Sequence, residues 1–487
     1  MDFLQILDAP IQPGGLVEWI PAVPGGLGNW QRDSRQTSHN HEAHLRSAFE
    51  YRALTHREGG RESWLGLAIE FAEPMSVPSV RTAIVAYINR HEVLRTHVVL
   101  KADRDGRYRT ERYSTPPDTV RVKMARIGWY TETPLLLEQI AGSFDRATAP
   151  LHWPAYRFAT VARPDSFTLL MAADHSLVDG YSLVSAHHEL TELYRAARER
   201  RLPQLEPTGS YPDFSDVQRR AADEADASHP AVRTWANFLA RYGGTMPLNP
   251  LLTPSSADAD PPTAPVPAPV DHRPAGGTAE AAPPQPYQPS RTVLLLDEPA
   301  ARRYEDFCAA AGASLVGGLL GALAVAFRRV SGADDFAIVM PRHTRTDRSW
   351  LHSLGWFVGL APLVVDVSDD PSLAEAGRRS TTALTDSRHG GKLPFLRVAD
   401  LIGLTGTPHF VVSYMDTRTT PKADVGDAGA ARVLRSHSYS DDEVYVWVNR
   451  TPGGVRMHAR YPASHTGIVS RFLDCFADLL ARTASDG

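Results

Sequence analysis

Apolar residues recur at helical spacing over His41–Leu54 and Val77–Arg90, which predicts two helices. Trp64–Phe71 (WLGLAIEF), Tyr156–Val161 and Phe167–Met171 read instead as strands. Ser182–Arg201 returns to helical spacing, and its last part, from Thr191, has a charged outer face. The second half repeats the mixture. Strands are predicted at Thr292–Leu296, Phe336–Met340, Leu363–Val367, His409–Ser413 and Val444–Asn449. Helices are predicted at Glu298–Ala311, Leu315–Arg329, Ser372–Ser387 and Ile468–Ala484. Neither half alternates strand and helix regularly, so a mixed α+β sheet in each is expected rather than a doubly wound one. No short-period solenoid repeat is visible.

Composition fixes the scale. At 487 residues, 43% hydrophobic and 22% charged, the chain fills more than one core. Its prolines are uneven: 11 of the 38 fall between Leu251 and Ser290, where Ala, Gly and Asp add little to bury. That stretch reads as a linker, residues 251–291, joining an N-terminal part (1–250) to a C-terminal part (292–487). A formal charge of −5, from 51 basic and 56 acidic residues, gives no nucleic-acid-binding field. Two cysteines, Cys308 and Cys475, make no disulfide framework, so a reduced, cytoplasmic chain is expected. The N-terminus MDFLQILDAPIQPGG has neither a basic start nor a long apolar core, and no secretory signal is read there. The longest apolar run, Leu315 to Phe327, is broken by Gly317, Gly318 and Gly321. It falls short of the roughly 20 residues a membrane span needs.

The chemistry concentrates in one stretch. Leu169-Leu170-Met171-Ala172-Ala173-Asp174-His175-Ser176-Leu177-Val178-Asp179-Gly180 is an apolar strand that ends in polar residues and turns into a helix. A histidine at a strand end is held rigidly enough to project into a cleft. It suits proton removal from a hydroxyl or amine, its free pKa being near 6.5. Taken alone, His175-x-x-x-Asp179-Gly180 reads equally as a satisfied strand-end histidine followed by a helix cap.

With its neighbours, the stretch resembles the active-site motif of the coenzyme-A-dependent acyltransferase superfamily, and further blocks resemble its condensation branch. They are Arg90-His91-Glu92-Val93-Leu94-Arg95-Thr96, Tyr211-Pro212-Asp213-Phe214 followed by a helix bearing Trp235, Gly355-Trp356-Phe357-Val358-Gly359 with Pro362-Leu363, and Lys392-Leu393-Pro394-Phe395. All stand in the branch's order. Pro13-Gly14-Gly15-Leu16-Val17-Glu18-Trp19, Ser413-Tyr414-Met415-Asp416 and Trp447-Val448-Asn449-Arg450 look like the polyketide-associated acyltransferases of the trehalose-lipid type. The resemblance implies two chloramphenicol-acetyltransferase-like lobes, a V-shaped pseudo-dimer around a central tunnel.

It also implies roles. His175 is the catalytic base in the tunnel. Asp179, Gly180 and Arg345 support the site, Asp179 pairing with Arg345 and Gly180 permitting the turn. Asp174, Trp356 and Ser413 are tunnel candidates, Ser413 as a strand-end donor to an oxyanion. The donor is an acyl thioester on coenzyme A or an acyl carrier protein, and the acceptor a small-molecule or carrier-bound hydroxyl or amine. No bound cofactor, metal, nucleic acid or membrane span is expected, and the chain is expected to be a monomer. The departures are Asp174 where the branch has a first histidine, Gly359 where it has asparagine, and the long linker. A close Asp174 carboxylate is expected to raise the basicity of His175. No Ser or Cys nucleophile beside a base is evident, so direct transfer is expected over a covalent acyl-enzyme. The alternatives are a peptide-bond-forming condensation protein and a silent carrier-docking homologue.

Two features read as ordinary surface. His39, His41 and His44 with Glu42 lack a third ligand at recognisable spacing and read as a polar helix start. Arg107, Arg109 and Arg112, with Tyr108 and Tyr113, read as a solvated hairpin face.

Overall fold

The computed structural model describes residues 1–55, 64–102, 108–252, 288–437 and 442–486. Residues 253–287, which make up most of the predicted linker, and Arg107 lie outside the described residues.

Two mixed sheets organise the chain. The first has seven strands in the order Asp2–Gln5, Ala431–Arg435, Trp64–Phe71, Phe167–Asp174, Tyr156–Ala162, Gly15–Ala22, Arg121–Trp129. Its first pair is parallel and its other pairs antiparallel. The second has six, in the order Ser290–Asp297, Gly454–Arg460, Val444–Thr451, Phe410–Asp416, Asp335–His343, Val358–Asp366. There Phe410–Asp416 runs parallel to both its neighbours. A small three-stranded sheet joins Gln31–Asp33, Tyr108–Ser114 and Thr96–Ala102.

Strand Phe167–Asp174 is buried at every position. A strand has a period of two, so this means both faces are covered. Phe167, Leu169 and Met171 pack with helices Val77–Arg90 and Gly180–Glu199, while Leu170 and Ala172 meet Leu136, Ile140 and Phe144 of helix Thr133–Ala147. In the second sheet, Val446 and Val448 face helices Glu298–Ala310, Leu315–Ser331 and Thr466–Asp486. The glycine-broken apolar run is therefore a buried core helix, and no single described helix is long and apolar enough to cross a membrane. Several helices start where the sequence offers a side-chain cap. Ser76 Oγ accepts from Ser79 N with Pro78 in the first turn, and Ser314 Oγ accepts from Gly317 N at 3.1 Å.

The two halves exchange elements. Ala431–Arg435, from late in the chain, is an inner strand of the first sheet. Conversely, helix Pro230–Ala240 places Val232 and Trp235 against Val339 and Val411 of the second sheet.

Candidate functional site

His175 follows the last residue of strand Phe167–Asp174, and Gly180 opens helix Gly180–Glu199. The five intervening positions make a tight connection in which Asp179 caps the helix, its Oδ1 accepting from Ser182 N at 2.8 Å. Gly180 is not in the left-handed region, so the turn itself does not demand glycine. A Cβ there would sit 3.1 Å from Met415 Cε, so the missing side chain keeps room beside the Phe410–Asp416 strand.

Asp179 is buried and gathers the second half around it. Arg345 Nη1 donates to Oδ2 at 2.7 Å and Nη2 to Oδ1 at 3.0 Å, a bidentate pair with both side chains 2% exposed. Phe357 N donates to Oδ2 at 3.0 Å, and Arg345 also reaches Ser182 Oγ at 2.8 Å. The guanidinium lies 4.3 Å over the Phe357 ring and 4.9 Å over Tyr181. Burial alone would raise the Asp179 carboxyl; the Arg345 charge and these hydrogen bonds hold it below the usual range.

Asp174, five residues earlier, is fully buried and partnered differently. Its Oδ1 accepts from Ser176 N at 2.9 Å, and its Oδ2 meets His44 Nε2 at 2.9 Å. Burial again favours the neutral acid, but His44 and the Ser176 bonds outweigh it and the carboxyl stays lowered. In return, burial would lower His44, and the adjacent carboxylate raises it above 6.5. His44 is thus no part of a polar helix start. It projects from helix His39–Thr55 into the site, while buried His41, one turn back, is pushed down to about 3 by burial and then by Arg112.

Trp356 joins the two arrangements. Its ring centroid is 4.8 Å from that of His175 and 5.9 Å from that of His44, and its neighbour Phe357 is the residue that binds Asp179. His175 itself keeps part of its surface open, as Trp356 and His44 do. His175 Nδ1 is sealed from solvent with no acceptor on another residue. The pKa of His175 is lowered, first by burial and then by His44, with its own backbone carbonyl, Asp174 and Asp179 opposing. The Asp174 carboxylate does act to raise His175, as expected, but burial outweighs it and the net direction is downward. The imidazole is neutral near pH 7.

Ser413 is in mid-strand, not at a strand end, because Tyr414–Asp416 continue the pairing with Val448–Arg450. It shares a strand face with Val411, which packs on helix Pro230–Ala240, and with Met415, which reaches Gly180. Gly359 has a packing reason: a Cβ there would lie 2.1 Å from Gly391 O. The Arg90–Thr96 block supports the site from behind. Arg90 Nε and His91 Nε2 both hold Glu189 of helix Gly180–Glu199, at 3.0 and 2.6 Å. Tyr211 Oη donates to Trp356 O at 3.4 Å, and Phe395 stacks near Trp235 at 4.8 Å.

One surface reading is corrected. Arg109 is 66% exposed, but Arg112 is buried and donates to Gln36 O and Ser215 Oγ, both at 3.0 Å. Three residues apart on a strand of period two, they face opposite sides. Among the described residues, no group of three or more His, Cys, Asp or Glu side chains is placed to hold a metal ion.

Comparison with known proteins adds the following. The Condensation domain family matches residues 57–487. Acyltransferase PapA3 of Mycobacterium tuberculosis (strain CDC 1551 / Oshkosh) is 26% identical over 366 residues, 72% of this chain and 71% of that protein. The 2'-acyl-2-O-sulfo-trehalose (hydroxy)phthioceranyltransferase PapA1 of Mycobacterium bovis (strain BCG / Pasteur 1173P2) is 29% identical over 298 residues, covering 60% of this chain and 52% of that one. Among solved structures, PapA2 acyl transferase aligns over 100% of both chains with a TM-score of 0.81 at 21% identity. The first condensation domain of the calcium-dependent antibiotic synthetase aligns over 93% of this chain and 97% of that one, with a TM-score of 0.64 at 17% identity. The α+β architecture is thus that of two chloramphenicol-acetyltransferase-like lobes.

Proposed function

The chain belongs to the condensation-domain family and is an acyltransferase, and from that premise we propose that it moves an acyl group from a pantetheine thioester to a hydroxyl of a trehalose-like sugar or glycolipid, with His175 as general base. Coenzyme A and an acyl carrier protein both present such a thioester. The sugar acceptor is suggested by relatives named for acylation of sulfated trehalose.

One observation carries the reading: the His175 ring, part-open beside Trp356, is fixed just past a strand end between the Asp174–His44 and Asp179–Arg345 pairs. With Nδ1 sealed, Nε2 is the nitrogen left to meet an acceptor O–H. As the acceptor oxygen attacks the thioester carbonyl, its proton passes to Nε2 and a tetrahedral oxyanion forms. Collapse breaks the carbon–sulfur bond, and the leaving thiolate takes the proton back from the imidazolium. Ester and thiol are the products, and His175 ends neutral. Ser413, on the strand face shared with Met415, is the candidate donor to the oxyanion, and Trp356 the wall against which the acyl or acceptor group lies. Asp179 and Arg345 hold the turn and the Trp356 segment together, without touching reactants.

The test is mass spectrometry of purified protein incubated with acyl-coenzyme A and acyl-carrier donors and a panel of sugars, alcohols and amines. Sugar esters are the expected products, with His175→Ala lowering turnover by about 10²–10⁴-fold. Amides formed only from two carrier-bound substrates, or wild-type turnover in His175→Ala, would overturn the assignment.

A further inference from the structure

The motif position before His175 holds a carboxylate that cannot be left bare. Asp174 is fully buried, and a buried charge without a partner is strongly unfavourable. Its nearest titratable neighbour in sequence is His175. Pairing the two would pull a proton onto His175, and an imidazolium cannot accept the proton of an acceptor hydroxyl. The geometry avoids this. Asp174 Oδ1 is taken by the Ser176 amide, and Oδ2 by His44 Nε2 at 2.9 Å, from a helix 130 positions away. The Trp356 ring lies against both imidazoles, at 5.9 Å from His44 and 4.8 Å from His175.

We propose that His44 is a positioning residue of the acyl-transfer site, taking the Asp174 carboxylate as its own partner and so leaving the His175 imidazole uncharged and free to accept the acceptor's proton. This rests on the acyl-transfer reading of His175. The remaining charges nearby do not duplicate the role. Asp179 is held by Arg345; His41, on the same helix as His44, is buried and neutral beside Arg112; His97 is lowered to about 4 by burial. Among the described residues, only His44 combines a direct bond to Asp174 with a ring contact on Trp356. A carboxylate thus stands before His175 in the motif, and its histidine partner comes from another element.

The experiment is an NMR pH titration of the full chain labelled in its histidine rings, with the His175 and His44 signals assigned from His175→Gln and His44→Gln, alongside the pH profile of kcat/KM. In His44→Gln, the bare Asp174 carboxylate raises the His175 titration by about one unit or more. The acid limb of kcat/KM, where protonating His175 abolishes activity, moves up in pH with it. In His44→Gln/Asp174→Asn both shifts return toward wild type, a rescue that loss of packing alone does not produce. An unmoved His175 titration in folded His44→Gln overturns the proposal, as does a moved titration with an unmoved acid limb. If His44→Gln does not fold, Asp174→Asn decides: His44 then titrates lower than in the wild type, and an unchanged His44 titration overturns the pairing. A wild type without acyl transfer to any acceptor sinks the reading of the site, while the His175 titration still decides the pairing.

Discussion

Asp174 and Asp179 stand five residues apart on either side of the same turn, both buried, both lowered, and both paired with a cation from a distant part of the chain. Their partners differ in kind. Asp179 is gripped by two nitrogens of a guanidinium, whose planar fork matches the carboxylate, and it fastens the first half to the second. Asp174 meets a single nitrogen of an imidazole, a group that can give up its proton. One pair is a permanent fastening and the other adjustable, and only the adjustable one shares Trp356 with His175.

The comparison breaks first where the grip is strongest. Arg345→Ala leaves a bare carboxylate in a dry site and is expected to cost about 3–5 kcal/mol of stability, measured by urea unfolding, with KM little changed in the protein that folds. A normal unfolding curve with lost substrate binding would make Arg345 a binding group. Asp174→Asn is expected to cost less, about 1–3 kcal/mol, because His44 can release its proton when the carboxylate goes. A cost equal to that of Arg345→Ala would erase the distinction.

Stability against pH sharpens it further. Both carboxylates are lowered, so each pair contributes stability above the ordinary value of 3.8 that is lost as the pH falls. His44 is raised, so its pairing is fully present below 6.5 and is lost as the pH rises through the raised value. The stability difference between wild type and His44→Gln should therefore shrink above pH 6.5, where the difference for Arg345→Ala stays level. A His44→Gln difference that holds to pH 9 would mean that His44 contributes packing alone. Ser413 belongs to neither pair, and Ser413→Ala is expected to alter stability by no more than about 0.5 kcal/mol while lowering kcat.

Much of this was legible in the sequence where the cause is local. Helix Val77–Arg90 and strand Trp64–Phe71 are bounded by their own periodicity, with Ser76 and Pro78 marking the helix start. The turn from Asp174 to Gly180, and Arg345 ten residues before Gly355, stood out as motif residues in order. The strand Ala431–Arg435 did not. Five residues with two arginines carry no clear alternation, and they are a strand because Asp2–Gln5 and Trp64–Phe71 flank them. His44 escaped for the same reason, its meaning depending on a carboxylate 130 positions away. One signal was present: an aspartate on the inward end of an all-buried strand requires a cationic partner somewhere. His41 and His44 share a helix face, and only the fold separates the neutral, buried one from the one that answers that requirement.

The exchange of strand Ala431–Arg435 bears on the order in which the protein can be made. Until about residue 435 has left the ribosome, Trp64–Phe71 presents an open, apolar edge and Asp2–Gln5 has no partner in its sheet. The first half of the nascent chain must wait, with that edge exposed, through the synthesis of nearly all of the second. Closure of the sheet that carries His175 is then a late event, so the site forms only when nearly the whole chain is present.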